Sequence, residues 1–320
     1  MPRSVAVLIF PGVQLLDAAG PLQVFATAND QARAAGRPPP YRPQLVAATA
    51  GLIASSAGVG LAAASLPRPD RIDTLLVAGG PGIHALAEDA RMLAWLRRAA
   101  LRPVRIVSVC TGAFLLAAAG LLDGRRATTH WQRAAELAAR YPAVRVDPDA
   151  IHVRDGAVWT SAGVTAGIDL ALALLTQDLG ADASLAVARH LVVFNRRPGG
   201  QSQFSAEAPL PQTAAPFAAL HGWMARNLAR PLTLDLLARQ AGMSERSFLR
   251  HYRAATGMTP ARMVERLRVE AARRALAETR APAKAIARRC GFGTEETMRR
   301  SFLRQIAVPP AAYRARFATV

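Results

Sequence analysis

The chain has 320 residues, 51% of them hydrophobic, and a net charge of +18 at neutral pH. This composition indicates a folded protein of two domains and excludes an intrinsically disordered chain. No apolar run approaches the roughly 20 residues of a membrane-spanning helix, and two cysteines are too few for a disulfide framework. We therefore expect a cytoplasmic protein that does not contact the membrane.

Apolar runs and helical patterns alternate over the first 180 residues. This alternation favours a mostly parallel sheet with helices on both faces, whose ligands bind at the carboxyl ends of the strands. The first apolar run is too short for a signal peptide and is predicted to be a strand. Strands are predicted at Val5–Phe10, Gln44–Ala48, Thr74–Ala78, Arg105–Val109, Ile151–Arg154 and Ala157–Thr160, and helices at Ala18–Ala35, Asp89–Ala100, Ala113–Ala119, Trp131–Arg140 and Ala166–Gln177.

The stretch from Arg105 to Gly120 carries the most distinctive pattern of this region. A β-branched run stops at Cys110 and a helix-forming run begins at Thr111, as in turns that present a reactive side chain. The N-terminus of the following helix would favour the thiolate of Cys110. A buried cysteine that acts as a small hydrophobic residue is the alternative, and the pattern leaves both open.

Two other predicted strands end in residues of interest. The first leads to Asp17, and the third ends in the loop Gly79-Gly-Pro-Gly82. A carboxylate, glycine amides and a thiol would meet at one edge of the sheet. Cys110 could then act as a nucleophile, with the amides of Gly80 and Thr111 as oxyanion donors. Taken singly, the glycine loop is also compatible with an ordinary turn and Asp17 with a helix cap.

Four segments resemble the PfpI/ThiJ superfamily, which is related to class I glutamine amidotransferases. They are FPGVQLLDAAGPLQVF (10–25), LLVAGGPG (75–82), VCTGAFLLAAAGLLDGRRATTHW (109–131) and TSAGVTAGIDLALALL (160–175). The resemblance implies a flavodoxin-like α/β sandwich with Cys110 at the nucleophile elbow and Asp17 close to it. Protease-like members carry a histidine directly after the cysteine, where this chain has Thr111. The Cys–Asp pattern is similar to that of isocyanide hydratases in the same superfamily.

Further polar residues are candidates for the same site. His130 either lines the pocket or, with Trp131, fixes the start of a helix. Ser161 and Thr165 lie in a polar turn that offers hydroxyls to a ligand or caps the next helix. His84, His152, His190 and His221 lack metal-ligand spacing, and neither a metal nor a cofactor is predicted. The predicted ligand site comprises Asp17, Gly79, Gly80, Gly82, Cys110, Thr111, His130, Ser161 and Thr165.

The two parts of the chain differ in charge and are joined by a stretch rich in Gly, Pro, Gln and Ser, typical of a linker. We predict a sensor domain at residues 1–198, a linker at 199–215 and a second domain at 216–320. Residues 1–215 hold 20 Arg and 15 acidic residues, a net charge of +5, whereas residues 216–320 hold 19 Arg, one Lys and 7 acidic residues, a net charge of +13. This excess indicates a nucleic-acid-binding domain.

The second domain contains an internal repeat. The segment LARQAGM at 237–243 recurs as IARRCGF at 286–292, and the match continues with one extra residue. In each copy a short helix ends at a glycine and a second helix follows, which is the helix-turn-helix pattern. The apolar residues Phe248, Tyr252, Met298 and Phe302 are predicted to pack inward. The residues predicted to contact DNA are Arg246, Ser247, Arg250, Glu296, Arg299 and Arg300. Alternatively, these residues form a charged surface that contacts only solvent.

A predicted helix at Pro260–Ala277 separates the two copies. Its 18 residues would span roughly 27 Å, whereas successive major grooves on one DNA face lie about 34 Å apart. One chain could therefore place two recognition helices in adjacent groove segments.

Residues 216–320 resemble the AraC/XylS DNA-binding domain, most clearly in GMSERSFLRHYRAATGMTPARMVERLRVEAARRAL and IARRCGFGTEETMRRSF. Three residues depart from the pattern of that family: Ala307 replaces a glycine, Pro309 replaces a serine or threonine, and Met298 stands where an aromatic is common. These departures concern the packing of the second helix-turn-helix unit.

A PfpI-like domain followed by an AraC-type domain resembles the GlxA/FtrA-like transcriptional regulators. The resemblance implies a DNA-binding activator, not an enzyme, controlled by a small metabolite such as an amino acid or a quaternary amine bound near Cys110. Its expected partners are promoter DNA, RNA polymerase and a second copy of the chain. The alternatives are a thiol hydratase or amidase that uses Cys110 and Asp17, and a redox sensor based on Cys110.

Overall fold

The computed structural model describes residues 2–102, 104–195, 199–204 and 217–318. The chain divides into two compact units, which span residues 1–197 and 198–320. The predicted domain boundary at residue 198 and residues 205–215 of the predicted linker lie outside the described residues. Within the described part of the chain, no helix is long and apolar enough to cross a membrane.

The first unit is a mixed α/β sheet with helices packed on it. Its strands are β1 (Arg3–Leu8), β2 (Tyr41–Ala47), β3 (Gly51–Ala54), β4 (Gly60–Ser65), β5 (Thr74–Val77), β6 (Arg105–Val109), β7 (Arg126–Ala127), β8 (Arg145–Val146), β9 (His152–Asp155) and β10 (Val158–Ser161). Its helices are α1 (Leu15–Ala34), α2 (Ile83–Ala87), α3 (Ala90–Ala100), α4 (Gly112–Ala118), α5 (Ala134–Arg140), α6 (Ala166–Leu179) and α7 (Ala181–His190).

Eight strands form the main sheet in the order β3-β4-β2-β1-β5-β6-β10-β9. Neighbours from β4 to β10 run parallel, and only the outer pairs β3–β4 and β9–β10 are antiparallel. Helices α1, α6 and α7 pack together, as do α2, α3 and α4, which gives one helical group for each face. Strands β5 and β10 are buried along their whole length, as expected of strands covered on both faces. The predicted α/β sandwich is therefore confirmed.

Strands β3 and β4 and helix α7 were not predicted from the sequence. The β3–β4 hairpin is rich in glycine, alanine and serine, and it lacks the apolar alternation that marks a half-buried strand. Helix α7 begins directly after Gly180, whose φ of +91° lets the chain turn sharply at the end of α6.

The second unit is entirely helical in its described residues. It contains α8 (Ala218–Arg226), α9 (Leu234–Gln240), α10 (Glu245–Thr256), α11 (Pro260–Glu278), α12 (Ala283–Arg289), α13 (Glu295–Ile306) and α14 (Pro310–Phe317). Helices α9 and α10 form the first helix-turn-helix unit, and α12 and α13 form the second. The hydroxyls of Ser244 and Thr294 cap α10 and α13 by accepting hydrogen bonds from the amides of Ser247 and Thr297.

Each helix-turn-helix unit has its own hydrophobic core, and α11 belongs to both. Its first half contributes Met263 and Leu267 to the core around Phe248 and Tyr252. Its second half contributes residues such as Leu276 to the core around Met298, Phe302 and Tyr313. All four repeat residues predicted to pack inward, Phe248, Tyr252, Met298 and Phe302, are fully buried. Helix α11 therefore connects the two helix-turn-helix units, as the sequence predicted.

Residues 199–204, which open the predicted linker, pack against the second helix-turn-helix unit, and we name them the strap. The buried guanidinium of Arg273, only 3% exposed, donates a hydrogen bond of 3.1 Å to the carbonyl oxygen of Gln203. It also donates to the hydroxyl of Tyr313 at 3.2 Å. The side-chain oxygen of Gln203 accepts a hydrogen bond from Arg316 at 2.7 Å. The strap is therefore fixed to α11 and α14 by buried polar contacts.

Candidate functional site

The carboxyl ends of β1, β5, β6 and β10 bring four loops together around Asp17. This carboxyl group is completely buried in the first turn of α1. Its Oδ1 accepts a hydrogen bond from the amide of Val164 at 2.8 Å, and its Oδ2 accepts one from the amide of Gly79 at 3.2 Å. Asp17 also forms a hydrogen bond with Cys110. The residues that converge here come from positions far apart in the sequence, as predicted for a strand-end site.

Cys110 lies in a strained turn between β6 and α4. Its φ of +56° is in the left-handed region, which non-glycine residues rarely adopt. Its amide donates a hydrogen bond to the carbonyl of Ser161 at 3.1 Å, and its carbonyl accepts one from the hydroxyl of Thr129 at 2.7 Å. Val164, which binds Asp17, has a φ of +58°. Two strained residues thus flank one carboxyl group, an arrangement that clusters at functional sites.

Burial determines the protonation of this pair. It raises the pKa of Asp17 to about 6, against the lowering effect of the hydrogen bonds from Val164 and Gly79. Burial and the charge of Asp17 raise the pKa of the Cys110 thiol to about 12. The expectation that the helix N-terminus favours a thiolate is therefore wrong, because desolvation outweighs the hydrogen bond from the amide of Thr111. At neutral pH Cys110 is a thiol.

The two amides predicted to be oxyanion donors are both engaged within the protein. The amide of Gly80 donates a hydrogen bond to the hydroxyl of Thr111 at 2.9 Å. The amide of Thr111 donates one to the sulfur of Cys110. Thr111 thus ties the turn after β6 to the loop after β5.

The glycines around Cys110 lie so close to neighbouring atoms that a side chain would not fit. A Cβ atom at Gly79 would lie 2.6 Å from Oδ2 of Asp17 and 2.7 Å from the Cβ of Cys110. A Cβ atom at Gly163 would lie 2.6 Å from the sulfur of Cys110 and 2.7 Å from the ring of His130. Similar crowding by backbone atoms from positions 11 to 14 surrounds Gly80 and Gly82.

The remaining predicted site residues take different places. His130 is half-buried next to Gly163, and its ring caps a short 3-10 helix, Trp131–Arg133, through the amide of Gln132. Burial lowers the pKa of His130, and the charge of Arg133 lowers it further. The hydroxyl of Ser161 donates to the carbonyl of Ala162, whereas Thr165 is exposed in front of α6.

Sequence reasoning missed Val164 and Thr129 as parts of the site. Both act through hydrogen bonds with residues distant in the sequence, and neither carries a local motif. The one available signal was the glycine at position 163, which lies in the polar turn between Ser161 and Thr165.

The predicted DNA-binding surface lies on α10 and α13. Arg246 and Arg250 are exposed, and no carboxylate of the described residues pairs with either of them. Ser247 is half-buried, and its hydroxyl contacts the ring of His251 at 3.2 Å. On α13, by contrast, Glu296 accepts two hydrogen bonds from Arg299, of 2.7 and 2.9 Å, and lies 3.8 Å from Arg300. The structure thus places each set on one exposed recognition helix.

Comparisons with known proteins agree with both units. The DJ-1/PfpI family matches residues 3–177, and a helix-turn-helix domain family matches residues 237–316. The chain is 30% identical to the HTH-type transcriptional regulator GlxA of Rhizobium meliloti (strain 1021), and the alignment covers 92% of each chain.

Two further relatives match a part of the chain. The isonitrile hydratase of Pseudomonas putida is 37% identical over 185 residues, which are 58% of this chain and 75% of that protein. The crystal structure of a ThiJ/PfpI family protein from Pseudomonas syringae is 29% identical, with a TM-score of 0.53, and covers 62% of this chain and 77% of that one. The chain belongs to the DJ-1/PfpI family and, with its helix-turn-helix domain, to the HTH-type transcriptional regulators of that family.

Proposed function

We propose that this transcriptional regulator is controlled by a small metabolite that binds beside Cys110 and changes how the helix-turn-helix units engage promoter DNA. The observation that carries the proposal is the buried Asp17–Cys110 pair, in which the thiol stays protonated, held in strained backbone and joined in one chain to two helix-turn-helix units. A thiol with a pKa of about 12 is a poor nucleophile at neutral pH, which favours a binding role for this pocket over covalent catalysis.

The chemistry around the pair favours a polar nitrogenous ligand. Asp17, with a pKa of about 6, is largely a carboxylate at neutral pH and would attract a cationic group such as an amine. His130 and the exposed Thr165 would complete the site with polar atoms. Amino acids and quaternary amines, which the family resemblance implies, fit this charge.

The remaining parts of the proposal concern the output. We propose an activator that works in the cytoplasm as a homodimer and contacts RNA polymerase at the promoter, and these features rest on the family resemblance. Arg246, Ser247, Arg250, Glu296, Arg299 and Arg300 would contact the DNA, supported by their position on the two recognition helices.

Effector binding is testable with the full chain. A thermal-shift screen of amino acids and quaternary amines should find compounds that raise the melting temperature, because a ligand stabilises the state that binds it. Gly163→Ala should abolish that shift, since its methyl group would crowd Cys110 and His130. Gly60→Ala, whose added Cβ would meet only a Leu52 side-chain atom at 3.7 Å, is the matched control. A compound that binds Gly163→Ala as tightly as the wild type would show that the ligand does not bind beside Cys110.

A thiol hydratase is the second candidate function, favoured by the Asp17–Cys110 hydrogen bond and by the similarity to an isonitrile hydratase. The test is hydration of a simple isonitrile by the full chain and by Cys110→Ala. Turnover that disappears in the variant, with promoter binding intact, would favour the enzyme. A redox sensor is less favoured, because oxidation by peroxide requires an accessible thiolate.

A further inference from the structure

The two recognition helices carry opposite charges at one matched position. The repeat aligns the N-cap Ser244 with Thr294, and two residues further it aligns Arg246 with Glu296. Both helices keep a glutamate at the first helical position and an arginine at Arg250 and its counterpart. The charge reversal is therefore confined to the second residue of each helix.

This position is at the N-terminal end of the second helix of each helix-turn-helix unit. In helix-turn-helix proteins the N-terminal residues of the second helix contact base edges in the major groove. Arg246 and Glu296 are both exposed, so neither side chain is needed for the core of its unit. Packing therefore does not dictate which residues occupy these two positions, and they can be chosen for contact with DNA.

The carboxylate of Glu296 is positioned by its neighbours and can still accept a hydrogen bond from DNA. Both carboxylate oxygens accept hydrogen bonds from Arg299, and the nearby Arg300 adds a second positive charge. The hydrogen bonds and charge of the arginines lower the pKa of Glu296 below its ordinary value. An ionised carboxylate only accepts hydrogen bonds, and each oxygen retains a free lone pair. Arg246 has only donors, and no ion pair occupies them in the described residues.

Base chemistry then separates the two helices. Arginine donates to the O6 and N7 acceptors of guanine, whereas glutamate accepts from the N4 amino group of cytosine. We propose that Arg246 and Glu296 determine specificity as an unlike pair, with Arg246 at a guanine in one half-site and Glu296 at a cytosine in the other. The operator is then asymmetric although the two units are copies of one motif. This inference rests on the proposed DNA-contact surface.

Selection of binding sites from random double-stranded DNA by the full chain tests the pair. Glu296→Gln should lose the cytosine preference at one motif position by about tenfold, while the other positions stay unchanged. Arg246→Gln should lose a guanine preference at a different position. Glu295→Gln removes the same charge from the neighbouring exposed residue and should leave the motif as in the wild type.

The outcomes separate this inference from the proposed function. If Glu296→Gln and Glu295→Gln raise affinity equally on all sequences and keep the wild-type motif, Glu296 acts only through its charge and the inference fails. A wild-type motif with the same base at both matched positions would also overturn it. If the wild-type chain enriches no motif, the proposed sequence-specific contacts fail first. Unchanged circular dichroism of each variant shows that the helices remain folded.

Discussion

The hydroxyl of Thr111 accepts a hydrogen bond from the amide of Gly80 at 2.9 Å and fixes the glycine loop against the turn of Cys110. Both groups are buried. Valine has nearly the same shape as threonine but lacks the hydroxyl, so Thr111→Val leaves the amide of Gly80 without its acceptor. We expect a loss of about 1–3 kcal/mol in the free energy of unfolding of the first unit. Urea denaturation followed by fluorescence measures it. Thr111→Ser, which keeps the hydroxyl, should lose far less, and equal losses would contradict this assignment.

The raised pKa of Asp17 predicts a pH-dependent stability. Because folding raises this pKa from 3.8 to about 6, the folded state prefers the protonated carboxyl group. The stabilisation is complete below the ordinary pKa and disappears as the pH rises through about 6. Relative to Asp17→Asn, the wild type should lose about 3 kcal/mol in total, at about 1.36 kcal/mol per pKa unit, with most of the loss between pH values of about 4 and 7.5.

Thermal unfolding of both proteins across this pH range measures the difference. Asp182→Asn changes an exposed carboxylate of the same unit and should follow the wild-type curve. A constant difference between the wild type and Asp17→Asn at all pH values would show that the carboxyl group does not titrate differently in the folded state.

The protonated thiol predicts slow alkylation. In a Cys290→Ala background only Cys110 remains, and its pKa of about 12 should make labelling by iodoacetamide much slower than that of a free thiol at pH values near 8. Asp17→Asn should accelerate labelling, because the charge of Asp17 contributes to the raised pKa. Mass spectrometry follows the reaction. Labelling of Cys110 in the Cys290→Ala background at the rate of a free thiol would restore Cys110 as a candidate nucleophile.

Ala307 predicts a stabilising substitution. It ends α13 with a φ of +54°, whereas the matched position after α10 is Gly257 with a φ of +70°. Ala307→Gly should stabilise the second unit by about 0.5–1 kcal/mol, since relief of the left-handed strain exceeds the added entropy of the unfolded chain. Gly257→Ala should destabilise the first helix-turn-helix unit by a similar amount. Calorimetry of the full chain measures both, and a lower melting temperature for Ala307→Gly would refute the prediction.

Arg250 predicts a loss of DNA affinity. Its guanidinium is exposed on α10 and free of carboxylate partners in the described residues. Arg250→Ala should weaken specific promoter binding by about 1–3 kcal/mol at constant salt. Fluorescence anisotropy with a labelled promoter fragment measures the change, with Arg239→Ala on α9 as the control because Asp235 already pairs with that guanidinium. An unchanged affinity would remove Arg250 from the interface.

The second unit was largely predictable from its sequence, because its signals are local. The N-caps Ser244 and Thr294, the glycine turns and the helical spacing of apolar residues each act within a few positions. The strap escaped prediction, since its composition is that of a linker. Its order depends on a buried hydrogen bond between Gln203 and Arg273, which are 70 residues apart.

The first unit shows where sequence patterns stop being informative. The end of β6 at Cys110 follows from a local change in side-chain type, and the structure places it there. The approach of Asp17 to Cys110 was predicted from the strand ends that both residues follow, and the family resemblance implied the same proximity. The raised pKa of the thiol depends on its burial in the folded protein and on the charge of Asp17, and the left-handed backbone of Val164 carries no local motif. Such properties arise only after the chain has folded.

The crowded glycines around Cys110 limit how this protein can acquire new ligand preferences. Any side chain at Gly79 or Gly163 would collide with Asp17, Cys110 or His130, so mutation there destroys the site before it can reshape it. Divergence, natural or engineered, is confined to neighbouring positions that already carry a side chain. A library built at His130 and Thr165 would explore that freedom while the buried carboxyl–thiol pair stays intact.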